Sequence, residues 1–196
     1  VTHLVDATHP FAATMSAHAE EAARLADVAH MMLTRPPWEA REGDRWTHVA
    51  DMAGAVEALK GPARRVMLAL GRMHVEAFAA QPQHHYVLRF VDAPDARPTL
   101  PRHHLVVDRG PFTIEGDLRL MREQGVEMIV AKNAGGAGAR AKLDAARELG
   151  LPVILIDRPP LGQARMMDEV SGVINLLDHR AERGVQRGLH GAHEVV

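Results

Sequence analysis

Cysteine is absent from the chain. That removes disulfides, thiolate nucleophiles and cysteine–zinc sites together, and it fits a reducing compartment, so a cytoplasmic location is expected. Aromatic residues make up only 4% of the chain, and Lys+Arg (23) do not outnumber Asp+Glu (25). Base-stacking platforms and a basic excess are both missing, so no nucleic-acid partner is expected. No apolar run is long enough to span a bilayer, and no basic segment followed by an apolar stretch opens the sequence, which argues against a membrane partner and against secretion. The two serines, Ser16 and Ser171, lie outside any Gly-x-Ser-x-Gly elbow, which excludes nucleophilic acyl transfer. Thirteen histidines are present, but no His-Glu-x-x-His. The doublets His84-His85 and His103-His104 would point to opposite faces of a strand, so no metal site is expected.

What is present suits a small-molecule enzyme. Hydrophobic residues form 46% of 196 positions, enough for one domain or two small lobes. Short apolar runs alternate with helix-patterned segments. Strands are expected at 2–5, 30–34, 46–49, 65–70, 86–91, 105–107, 128–131 and 152–156. Helices are expected at 12–28, 52–59, after Pro111, at 139–149 and near 167–177, with a short one after His74. In the first helix Met15, Ala19, Ala22 and Ala26 share a face, and in the one after Pro111 Ile114, Leu118 and Met121 do. Gly125 stands where a left-handed cap belongs. Such alternation predicts an α/β fold of two Rossmann-like lobes with mostly parallel sheets and a ligand cleft between them. The expected division is 1–60, 61–178 and a flexible tail at 179–196.

An internal echo reads either as two related α/β lobes or as coincidence among Ala-rich helices. Residues 22–37 (AARLADVAHMMLTRPP) align without a gap over 145–160 (AARELGLPVILIDRPP). Carried backwards, the same offset sets the loop of His9 over that of Lys132. The polar signatures at 6–10, 35–38, 71–74, 108–112, 132–136 and 157–160 all follow strands, where open α/β sheets bind ligands.

Each signature has a plain structural alternative. The glycine-rich segment after Lys132, KNAGGAG, either cradles a phosphate on backbone N–H groups or is a tight turn with an incidental lysine. It is neither a Walker loop nor Gly-x-Gly-x-x-Gly. Asp6-Ala7-Thr8-His9-Pro10 either presents a carboxylate, a hydroxyl and an imidazole to a ligand or caps a helix that begins near Pro10. Arg72, beside Gly71, and Arg35 and Arg158 each suit a carboxylate or phosphate, or are surface arginines. Asp108-Arg109-Gly110-Pro111-Phe112 reads locally as a turn into a helix.

DATHPFA (6–12), RGPF (109–112), KNAGG (132–136) and the Arg158-Pro159 ending occur in one order that resembles the precorrin-6A reductase family, over about residues 2–160. Family members typically carry DATHPFA and a KNSGG-like loop; Ala134 stands where Ser is frequent. They also begin with a strand and a Gly-Gly-Thr type loop that this sequence lacks, so a segment ahead of Val1 is expected. The resemblance implies NADPH-dependent reduction of one macrocycle double bond, precorrin-6A to precorrin-6B, in cobalamin biosynthesis. The alternative is a non-catalytic nucleotide- or tetrapyrrole-binding α/β module. On the family reading NADPH is the cofactor, held by Thr8, Gly71, Arg72, Lys132, Asn133, Gly135 and Gly136. The tetrapyrrole substrate is met by Asp6, His9, Arg35, Arg109 and Arg158, and His9 is the candidate proton donor. Neighbouring enzymes of the cobalamin pathway are candidate partners.

Overall fold

A computed structural model describes residues 1–94, 96–160, 162 and 164–178. The strands are β1 (His3–Asp6), β2 (Ala29–Leu33), β3 (Arg45–Val49), β4 (Arg65–Ala69), β5 (His85–Phe90), β6 (His103–Val107), β7 (Met128–Lys132), β8 (Pro152–Ile156) and β9 (Arg165–Met167). The helices are α1 (Ala13–Leu25), α2 (Met52–Glu57), α3 (Ile114–Glu123) and α4 (Ala141–Glu148), with a 3₁₀ segment at Arg72–Ala80. Residues 170–178 are also helical. The expected tail, 179–196, lies outside the described residues.

All strand pairs are parallel, in two sheets ordered β1-β2-β9 and β3-β8-β7-β4-β5-β6. They belong to two compact units, one from Val1–Pro36 with the described part of Pro160–Val196, the other Pro37–Pro159. The expected boundary at residue 60 is therefore corrected. β3 joins the larger sheet by pairing with β8, Arg45 through Val49 against Pro152 through Ile156. The chain changes unit between Pro36 and Pro37 and again between Pro159 and Pro160. These are the two Arg-Pro-Pro ends of the echo. Proline has a fixed φ and no N–H, so neither ladder continues across them.

The four inner strands of the larger sheet, β8, β7, β4 and β5, are buried on both faces, which is why they read as nearly continuous apolar runs. Met67, Val87, Ile129 and Val153 pack against Met121 of α3 and Leu143 of α4 in one core cluster. On the opposite face Tyr86 meets Phe78 of the 3₁₀ segment edge to face, and its hydroxyl donates to the Phe78 and Gln81 carbonyls. His84 is a satisfied core residue: Nδ1 accepts from the Arg64 amide, so Nε2 carries the proton and donates to the Leu59 carbonyl. In the smaller unit Met31 and Met32, neighbours in β2 and so on opposite faces, are both buried.

Three expectations change in detail. Helix α1 starts at Ala13, not near Pro10, because the Ala12 amide bonds the His9 carbonyl in a preceding turn. Its inward stripe is Ser16, Ala19 and Ala23, while Met15 is exposed. Met167, expected at the start of a helix, instead ends β9 beside β2, and the helix begins at residue 170. A three-residue strand is too short to show a period.

The echo is real in geometry. Helices α1 and α4 end with the same cap, in which Val28 N bonds Ala23 O and Leu151 N bonds Ala146 O. Asp27 (φ 49°) and Gly150 (φ 64°) hold the corresponding left-handed positions. Residue equivalence shifts, however. Asp6 pairs with Met32 and Ala131 with Leu155, so Asp6 corresponds to Ala131 and Thr8 to Asn133, two positions later than the ungapped offset. His9 and Lys132 are thus not equivalent; the strand-to-helix connection is two residues longer in the smaller unit.

An aspartate at left-handed φ bears a Cβ–carbonyl clash that glycine lacks. Replacing Asp27→Gly should raise unfolding free energy by about 0.5–1 kcal/mol, and Gly150→Ala should lower it by about 1 kcal/mol. Urea denaturation measures both.

Candidate functional site

In the larger sheet the chain builds outward from β4 in one direction (β5, then β6), then returns to place β7 and β8 on the other side. The strand order reverses between β4 and β7, and in doubly wound sheets the ligand crevice opens at such a switch point, beyond the carboxyl ends. Gly71 and Arg72 follow β4; Lys132 ends β7. Here Lys132 Nζ lies 2.9 Å from His74 Nε2. An ammonium can only donate, so His74 accepts as neutral imidazole with its proton on Nδ1. Burial, and then the Lys132 charge, hold the His74 pKa below its ordinary value, while burial lowers that of Lys132. The pair is a part-buried cation, with the charge on Lys132 and a neutral His74 as its acceptor.

The loop after Lys132 is pinned from below. Gly135 (φ 69°) and Gly136 (φ 76°) take conformations that side chains resist, which turns the loop between strand and helix. Trp38 Nε1 donates to the Gly136 carbonyl at 2.6 Å. Arg158 donates from Nε to the Asn133 carbonyl and from Nη2 to the Ala134 carbonyl. Asn133, expected on the cofactor, is instead engaged inside the protein. It is buried, its Oδ1 accepts from the Trp38 amide at 2.7 Å, and its Nδ2 donates to the Trp38 carbonyl at 3.1 Å. A short polar side chain satisfying both backbone groups of a buried residue is a structural clasp.

The smaller unit has its own cavity, about 480 Å³, lined by Thr8, His9, Pro10, Arg35 and Asp168 among others. Three of the expected contacts, Thr8, His9 and Arg35, thus share one cavity wall. Asp6 does not reach it. The residue is only 4% exposed, and its carboxylate accepts from the Thr8 amide at 2.9 Å, shaping the loop. Burial alone would raise the Asp6 pKa, but hydrogen bonds from Ser16 and Thr8 and the charge of His30 together outweigh it and lower the value. His9 Nδ1 accepts from the Phe11 amide at 3.2 Å, which puts the ring proton on Nε2.

Arg109, expected on the substrate, points outward and pairs with Asp92 on the surface. Arg89, Asp117 and Lys142, none of them an expected site residue, carry charge into the interior. Arg89 and Asp117 form a buried ion pair, and the Arg89 guanidinium stacks on Phe112 at 4.2 Å. Their signals were present: Asp117 interrupts the apolar stripe of Ile114, Leu118 and Met121, and Arg89 interrupts an otherwise apolar strand. Among the described residues, no group of three or more His, Cys, Asp and Glu side chains could hold a metal, and no helix is long and apolar enough to cross a membrane.

A parallel sheet with a strand-order reversal, a glycine-turned loop and a cation beside it defines a doubly wound α/β protein. Residues 1–178 match the family described as Precorrin-6x reductase CbiJ/CobK. The chain belongs to that family. It is 54% identical over 187 residues to a precorrin-6A reductase of Rhodobacter capsulatus, covering 94% of this chain and 74% of that protein. It is 43% identical to one of Rhodococcus erythropolis (89% and 70% covered), and 29% identical to a cobalt-precorrin-6A reductase of Priestia megaterium (90% and 73%). A solved CobK precorrin-6A reductase superposes with a TM-score of 0.88 at 52% identity, covering 91% of this chain and 73% of that one.

The His74 shift fixes a sign. An unfolded histidine binds its proton near 6.5, the folded one only at lower pH. As pH falls through the window below 6.5 the unfolded chain takes up more protons, and stability from this site is lost. In an NMR titration His74 should show a midpoint below 6.5. In Lys132→Met the midpoint should rise but stay under 6.5, since burial remains.

Proposed function

We propose that the protein reduces precorrin-6A to precorrin-6B with NADPH, in the cytoplasm, as a step of cobalamin biosynthesis. The reading rests above all on family membership across residues 1–178. The higher identity to precorrin-6A reductases than to the cobalt-precorrin enzyme favours a cobalt-free macrocycle.

Held at the Lys132 loop, NADPH would supply a hydride to one carbon of a ring double bond, with a proton added at the neighbouring carbon. No protein nucleophile is needed, in keeping with a chain that has no cysteine. The chain's own residues bind and orient. Gly135 and Gly136 let backbone approach an anion closely, and Lys132 adds charge at the same loop. Arg158 is held on the carbonyls of that loop and keeps its shape. Arg35, Thr8 and His9 share a cavity suited to a carboxylate-bearing ligand. Through Nε2, His9 delivers the proton. Most of the acceleration comes from holding donor carbon and acceptor carbon in contact.

Mixing the protein with NADPH and precorrin-6A should consume nicotinamide absorbance. Binding of both without oxidation would instead mark a non-catalytic module. Lys132→Ala should weaken NADPH binding about 10- to 100-fold with the fold retained, the scale of one charged hydrogen bond; an unchanged dissociation constant removes the assignment. His9→Ala should cut turnover about a hundredfold or more if His9 supplies the proton, and an unaltered rate would remove that role.

A further inference from the structure

A second cavity, about 500 Å³, opens at the carboxyl ends of β4 and β5. Its wall includes Gly71, Arg72, Arg89, Asp92, Phe112 and Lys142. Three of these are cations and one is a carboxylate, Asp92, already paired with Arg109. Behind the wall, Asp117 (3% exposed) neutralises Arg89 (7%), and Asp108 acts on Asp117 from the surface. Lys142 is buried too: its Nζ donates to the Ala139 carbonyl at 2.5 Å and lies 5.0 Å over the Trp38 ring. A buried ammonium resting on one carbonyl and one aromatic face is costly to keep charged.

Gly71 is the second, independent observation. Its backbone (φ −65°, ψ 149°) suits any residue, and a Cβ built there would meet no atom within 4 Å. Neither conformation nor packing demands glycine at this place. What a side chain would fill is the cavity.

We propose that this cavity is an oxyanion subsite, closed on one side by Lys142 and Arg89 and left open by Gly71, that receives a carboxylate arm of the macrocycle or a phosphate of the dinucleotide. The inference rests on the proposed reductase function for the identity of those ligands. With the Arg89 charge met by Asp117, Lys142 supplies the positive charge to the oxyanion, and Phe112, stacked on Arg89, offers an apolar wall to the rest of an arm. Burial, and then Arg89, lower the Lys142 pKa to about 8. A bound anion favours the charged amine, so the Lys142 midpoint should rise on binding.

The sequence contains only three lysines, Lys60, Lys132 and Lys142, so each side-chain amine can be followed by NMR. The full chain is titrated alone and with NADPH, precorrin-6A, inorganic phosphate or succinate. An upward movement of the Lys142 midpoint with at least one of them is the expected result, and no movement with any of the four overturns the proposal. Dissociation constants for NADPH and precorrin-6A are then compared in Gly71→Val, Lys142→Met and the paired Arg89→Met/Asp117→Leu, which removes both buried charges together. A loss of about tenfold or more for precorrin-6A alone assigns a carboxylate; the same loss for NADPH alone assigns a phosphate. Both constants within twofold of the parent in a folded Gly71→Val would overturn the subsite. Absence of NADPH oxidation by the parent protein would defeat the reductase reading without touching the Lys142 response, so the two failures are told apart.

Discussion

The molecule is organised by one reversal. Because β7 is laid against β4 on the side opposite β5, the 3₁₀ segment leaving β4 lies on one face of the sheet and α4, following β7, on the other. The strand ends between them are left uncovered. Parallel strands buried on both faces have no solvent face on which to place polar chemistry, so it is confined to that edge. Lys132, His74, Gly71 and Arg72 are there for this reason, and the clasp of Asn133 on Trp38 keeps the edge from collapsing into the core beneath it.

How much of this was legible depended on the kind of signal. Apolar runs such as Val66 through Leu68 and Ile129 through Ala131 gave their strands directly, since burial on both faces leaves nothing but apolar residues to read. The Arg-Pro-Pro repeats were visible as an echo, but their meaning as the two crossings between units was not. Deciding that β3 pairs with β8 requires a partner a hundred residues away, and no local pattern carries it. β9 was hidden by its length.

For the candidate site, residue type proved a better guide than residue role. Asp6 and Asn133 were picked out as polar groups beside a strand end, yet both turned inward, one to hold the Thr8 amide and the other both backbone groups of Trp38. A hydrogen-bonding side chain in a loop serves the backbone as readily as a ligand, and sequence does not distinguish the two. Arg89, Asp117 and Lys142 show the converse. Arg89 and Asp117 interrupt apolar patterns, and Lys142 lies among charged neighbours; only burial shows what the three share.

The path of the chain bears on the order in which the protein matures. The larger unit is one continuous stretch, Pro37–Pro159, whereas the smaller one is assembled from two pieces separated by the whole of it. Met31 finds its ladder neighbour Arg165 only after every strand of the larger sheet has been synthesised. On a ribosome, the larger sheet condenses while β2 still waits with one edge unpaired, and that edge stays open to mispairing with another chain until β9 is made.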